Sequence, residues 1–190
     1  MDKQSNLIEH KSSLKVGMFN LCDGRNVEKL DADTYPKLRS VIAIVDESRN
    51  YALGLCPVNI MLSFAYGCLN CFTDEILSGR EATAVLLEAA AKQKIQLPAA
   101  EFCVNYAQSG VNKGEAFLPS RHELKQFSIR SAVWEAWEKL GIASRKCAFW
   151  SSSVGIDNAA WMQSYTPFAV SSWQIQYRTF GVLPAVEIKL

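Results

Sequence analysis

The chain has 190 residues, 49% of them hydrophobic, and a net charge of +1 with acids and bases interspersed. That length and apolar share fit one domain with a full core and argue against disorder. The charge balance leaves no footprint for nucleic acid or an anionic membrane, and no apolar run approaches the ~20 residues that span a bilayer.

Residues 1–14 read as a polar tail or attachment arm, and 15–190 as a single domain. The start lacks the apolar core of a secretory signal. Either the chain is not secreted by that route or a leader has been removed. "VGMFNLCDG" is a short strand ending in an Asp23-Gly24 hairpin turn. Val41–Val45 is a β-branched run, and the polar turn Asp46–Asn50 leads to a partner strand over Tyr51–Leu55.

Ser78-Gly79-Arg80-Glu81 has capping-box spacing, and Ala82, Val85, Leu86, Ala89 and Ala90 then repeat at helical spacing, so 79–94 is expected to be an amphipathic helix. Pro98 opens a second helix to about Tyr106. Ser120-Arg121-His122-Glu123 is another capping box, beginning a helix with Leu124 and Phe127. Val133, Trp134, Trp137 and Leu140 mark a further helix, stopped by Gly141. Beyond it the pattern predicts strands at Ala160–Tyr165, Trp173–Tyr177 and Val182–Ile188. Helices in the middle and strands at both ends predict an α+β fold whose terminal strands meet in one sheet.

Six cysteines are present, with Cys68 and Cys71 in CxxC spacing. A zinc site needs a second pair, and the histidines are only His10 and His122, so reduced thiols acting as small buried hydrophobes are expected. Ser151, Ser152 and Ser153 invite a nucleophile reading, which requires a histidine base. His122 is the one plausible base, it sits in the first turn of a helix, and no GxSxG elbow exists. Asp157-Asn158 supplies a fraction of the 6–8 oxygens that calcium takes. The expectation is therefore a non-enzymatic chain without metal or cofactor.

Two segments carry a family resemblance. "NKGEAFLPSRHELKQF" (112–127) supplies Gly114, Leu118, Pro119, Ser120, Glu123 and Leu124. "CAFWSSSVGIDNAAWMQSY" (147–165) supplies Trp150, Ser151, Ser152, Ala160 and Trp161. In order and spacing they resemble the Lcl C-terminal-type domain family, bacterial and phage domains related to C-type lectins, over about Val16–Ile188. The sequence departs from its pattern in two places: Ala116 and Phe117 lie in the region where a tryptophan is usual, and Leu183 stands in place of an arginine. The resemblance implies a C-type-lectin-like fold with a small twisted antiparallel sheet, two or more helices and a long irregular C-terminal display region. It also implies an adhesin or receptor-binding role on a cell surface or virion. The EPN, QPD and WND signatures of calcium lectins are absent from the sequence.

Within that frame Trp150 and Trp161 are expected to be core. With Trp161 and Tyr165 inward, Met162 and Ser164 face the display side, and Gln163 needs a buried partner. The ligand-binding candidates are Asp157, Asn158, Met162, Ser164, Trp173, Gln174, Gln176 and Tyr177, a mixture of aromatic area and neutral hydrogen bonding. The expected partner is a glycan or protein receptor. The alternative is a structural module that oligomerises through the same face, and a serine hydrolase stands third.

Overall fold

A computed structural model describes residues 14–58, 60–128, 131–141, 148–164 and 171–190. Residues 1–13 of the expected tail, together with Cys147 and Tyr165, lie outside the described residues. Within them are ten strands and four α-helices. The strands are β1 (Phe19–Leu21), β2 (Asn26–Val27), β3 (Leu38–Asp46), β4 (Tyr51–Leu55), β5 (Ile60–Ser63), β6 (Ala148–Val154), β7 (Ala160–Ser164), β8 (Ser171–Gln174), β9 (Thr179–Val182) and β10 (Ala185–Ile188). The helices are α1 (Gly79–Gln93), α2 (Pro98–Asn105), α3 (Arg121–Ser128) and α4 (Ser131–Lys139).

The α+β expectation holds, but the single small sheet gives way to two five-stranded sheets, ordered β10-β4-β3-β1-β2 and β5-β9-β6-β7-β8. The first is antiparallel throughout; in the second, β6 and β9 run parallel. N- and C-terminal strands do meet, since β10 pairs β4 with Val186 opposite Gly54. The expected strand 182–188 is in fact two. Pro184 has no N–H to give a ladder, and the chain turns there from β9 in the second sheet to β10 in the first. The Pro184 carbonyl still accepts from Cys56 N at 2.8 Å.

Local chemistry sets the element ends. Asp46 accepts from Ser48 Oγ (2.6 Å) and Arg49 N (3.3 Å), and Asn50 takes a left-handed φ of 49° to turn β3 back into β4. Ser78 Oγ caps α1 by accepting from Glu81 N, and Lys94 closes the helix in the left-handed region. Two cores result. In one, β3 and β4 residues such as Val41, Leu53 and Leu55 pack with Phe127, Trp134, Trp137 and Phe149 beneath α3 and α4. In the other, Trp150, Val154, Met162 and Val182 of the second sheet pack with Leu86, Leu97 and Cys103 of α1 and α2 and their junction.

Cys56 and Cys103 are buried as expected, whereas Cys22 and Cys68 are exposed and Cys71 is half-buried. Burial pushes the Cys56 thiol up to about 12 and Cys103 well above its usual value, which keeps both protonated. Among the described residues no three His, Cys, Asp or Glu side chains group as metal ligands, and no helix is long and apolar enough to cross a membrane.

Candidate functional site

The segment "WSSS" forms β6, a strand not foreseen in the sequence. From Trp150 to Val154 it advances four residues while β7 advances two, from Met162 to Ala160. The serines occupy that bulge. Ser151 Oγ donates to the Trp161 carbonyl (3.1 Å) and accepts from Ser153 N (3.2 Å), and Ser153 Oγ accepts from Arg121 N (3.1 Å) at the start of α3. Ser152 N donates to the Pro119 carbonyl (2.8 Å), and Thr73 Oγ1 donates to the Ser152 carbonyl (2.7 Å). All three serines are buried. They act here as hydrogen-bonding mortar between the bulged strand, the Thr73 loop and α3.

Strand β7 is covered on both faces, so alternation along it does not report exposure. Met162, expected on the display side, is buried in the second core beside Trp150. Ser164 is half-buried at the strand end. Gln163 is buried, and its Oε1 has no partner among the described residues. Trp161 faces α3. Its ring meets Trp173 edge-on at 4.9 Å between centroids, with the Arg121 guanidinium at 5.4 Å and Lys125 Nζ at 5.2 Å from its centroid. Asp74 pairs with Arg121. Gly155 lies under the Trp173 ring, where a Cβ would come within 3.1 Å of the ring.

Gln176 was expected to touch ligand; it is buried instead and functions as a clamp. Its Oε1 accepts from Leu69 N (3.0 Å), its Nε2 donates to the Leu69 and Asn158 carbonyls, and its own carbonyl accepts from Ala65 N (3.0 Å). The neighbouring Tyr177 carbonyl accepts from Ser63 Oγ at 3.2 Å. Three loops are thus tied together: 64–70, the β6–β7 turn 155–159, and the β8–β9 turn 175–178. Strand β8 ends at Gln174, so the expected strand over Trp173–Tyr177 bends into this turn.

The tied loops hold out apolar side chains. Ile156 is 86% exposed and Tyr177 67%; Tyr66 and Ile175 are exposed too, and Trp173 at 39% lies alongside. Of the sequence candidates, Trp173, Tyr177 and Asp157 lie at this surface. Asn158 is half-buried with a left-handed φ of 54°, and Gln174 is half-buried with its amide on Ser172 Oγ (2.6 Å). Tyr66, Ile156, Ile175, Arg121 and Lys125 escaped sequence reasoning. An isoleucine at a turn tip between Gly155 and Asp157 was the available signal, because turns normally carry polar or small residues.

Because Gln176 satisfies groups on two other loops, Gln176→Ala is expected to cost about 1–3 kcal/mol by stranding the buried Leu69 N–H. Hydrogen exchange at Leu69 and Asn158 is expected to accelerate in that variant. Unchanged protection at both amides would show that the loops stand without the clamp.

No protein-family model matches the sequence, and no curated protein matches it. In fold the chain is similar to part of a fimbrial protein from Bacteroides ovatus ATCC 8483, known from a crystal structure, with a TM-score of 0.65 and 12% identity. The match covers 90% of this chain and 48% of the other, so the chain spans about half the length of that protein.

Proposed function

We propose that the chain is a non-enzymatic surface-recognition module whose partner is a protein docked on the apolar knob of Tyr66, Ile156, Trp173, Ile175 and Tyr177. The observation that carries the reading is the Gln176 clamp, which fixes exposed apolar side chains from separate loops at one end of a sheet. A soluble fold gains nothing for its own core from such residues, and contiguous exposed apolar groups mark interaction sites. Aliphatic tips such as Ile156 and Ile175 suit a protein surface better than a glycan. The likeness to a fimbrial protein supports a role at a cell surface. Assignment to the Lcl C-terminal-type family, with its C-type-lectin-like fold, rests on the LPS-x-x-EL and WSS segments and belongs to the same proposal.

The test is a screen of protein and glycan arrays with the full chain, repeated with the Trp173→Ala/Tyr177→Ala double variant. A protein ligand whose binding falls about thirtyfold or more in the variant is the expected result, the scale of an interface hot spot. Retained binding would overturn the knob, and glycan-only binding would overturn the protein assignment. A second reading, a structural module of a polymer, is favoured by that same fimbrial likeness. It predicts a self-associated chain that the double variant converts to monomers in sedimentation.

A further inference from the structure

Cys68 and Cys71 follow Tyr66 closely in the chain, and the docking role of the knob gives these two thiols nothing to do. Both are free, Cys68 exposed and Cys71 half-buried. The residues between them are gripped by two glutamines. Gln176 Oε1 accepts from Leu69 N (3.0 Å), and its Nε2 donates to the Leu69 carbonyl (3.3 Å). Gln93, the last residue of α1, repeats the arrangement one position on. Its Oε1 accepts from Asn70 N (3.0 Å), and its Nε2 donates to the Asn70 carbonyl (2.9 Å).

One side-chain amide holds both the N–H and the C=O of a single residue only where the two point the same way, as in an extended strand and not in a helix. Along a strand the next residue's pair points to the opposite edge, so the two glutamines grip the segment from its two sides. Burial alternates to match. Cys68 and Asn70 face out, Leu69 is buried, and Cys71 is half-buried against the second core. Three extended steps set the cysteine Cα atoms roughly 10 Å apart, and alternation sends their thiols to opposite faces. A disulfide needs its Cα atoms within about 4.4–6.8 Å. The doubly clamped loop and a Cys68–Cys71 bridge therefore exclude each other.

We propose that Cys68 and Cys71 form a dithiol redox site, oxidised by a small disulfide such as oxidised glutathione, whose closure dismantles the clamp behind the knob. The exposed Cys68 thiolate attacks the glutathione disulfide, breaking its S–S bond, forming a mixed disulfide and releasing one glutathione thiol. The Cys71 sulfur then attacks the Cys68 sulfur and displaces the second glutathione. Two protein thiols are oxidised, one glutathione disulfide is reduced to two thiols, and the two thiol protons pass to them. Closing the bridge folds residues 68–71 into a turn, so Gln176 can no longer hold both groups of Leu69. The tie from Leu69 through Gln176 to the Asn158 carbonyl goes with it. That oxidation would release a docked protein rests on the proposed function; the untying of the loops does not.

The test equilibrates the full 190-residue chain in glutathione buffers of rising oxidised share and locates bridges by alkylation and peptide mass mapping. The wild type is expected to gain a Cys68–Cys71 bridge and, over the same buffers, to lose hydrogen-exchange protection at the Leu69 and Asn158 amides. Gln93→Ala, at an exposed position where a melting curve confirms folding, frees one side of the segment. It is expected to favour the bridge about tenfold in the exchange equilibrium, the scale of two lost hydrogen bonds. Cys71→Ser, which can hold glutathione on Cys68 but cannot close, is expected to keep its protection. A wild-type chain that never bridges overturns the proposal. So does a bridge formed with protection intact, an equilibrium unchanged in Gln93→Ala, or protection lost in Cys71→Ser. No docking partner enters these measurements, so a knob that fails on the protein array and a redox site that fails here are told apart.

Discussion

Trp150→Ala is expected to lower the unfolding free energy by about 3–5 kcal/mol, the range for truncating a fully buried large side chain. The Trp150 ring is completely buried, edge-on to Phe64 at 5.5 Å and to Phe180 at 4.7 Å between centroids. Its Nε1–H donates to the Leu62 carbonyl at 3.0 Å. One side chain therefore fastens β6 to β5 and β9 while filling the space below α1. Removing it opens a cavity and strands a carbonyl. Trp150→Phe separates the two effects, since it keeps the aromatic contact and loses the donor, at about 1–2 kcal/mol. Urea unfolding of both variants is the measurement. A loss below about 1 kcal/mol for the alanine variant would mean that the second core tolerates collapse around position 150.

Glu123→Gln is expected to cost about 2–4 kcal/mol, because a buried carboxylate that holds several donors cannot be replaced by a group with one acceptor oxygen. Glu123 Oε2 accepts from Ser120 N at 2.8 Å, closing the capping box with Ser120 Oγ on Glu123 N at 3.2 Å. Its Oε1 accepts from Gly79 N (3.2 Å) at the start of α1 and from the Tyr51 hydroxyl (3.0 Å) at the start of β4. The glutamine NH2 would face one of these donors. Gly79 leaves the room: a Cβ there would press on Glu123 Oε2 and on the backbone of Leu118 and Pro119.

The same carboxyl gives the substitution a pH signature. Burial pushes its pKa above the ordinary 4.5, although the surrounding donors pull the other way. Between the unfolded and folded values the native state binds more protons, so stability falls as pH rises through that window. The gap between wild type and Glu123→Gln is therefore expected to be wider near pH 4.5 than at neutral pH. Asp23, Asp31 and Asp46 titrate in the opposite sense, their carboxyls held below the usual range by neighbouring hydrogen bonds, and they cancel in the difference. A gap that narrows on acidification would contradict the assignment of the raised pKa to Glu123.

Much of the frame was legible because its signals are local. The Ser120/Glu123 capping box closes in both directions, Ser78 caps α1 by accepting from Glu81 N, and Pro98 opens α2 as its fixed φ allows. The Asp23-Gly24 hairpin and the Asp46–Asn50 turn also follow from short-range chemistry. What escaped depends on partners distant in sequence. The serines of β6 read as loop or nucleophile because nothing local says that Thr73, Pro119 and Trp161 surround them. Met162 reads as display because alternation assumes one wet face, and α3 covers the second face of β7. Gln176 looks like an exposed polar residue until Leu69 and Asn158 are brought to it. At the candidate site, then, sequence found Trp173 and Tyr177 and missed Tyr66 and the scaffold that presents them.

The division of residues 179–188 between two sheets bears on how the protein is made. Strand β9 lies inside the second sheet, between β5 and β6, and β10 pairs β4 in the first. When a ribosome has translated the first 178 residues, β5 has no neighbour in its sheet and β4 lacks one flank. The nascent chain then carries open strand edges that invite wrong pairing with another chain. Closure of both sheets comes together, once residues 179–188 are in place, and joins residues more than a hundred positions apart, the kind of contact that folds slowly.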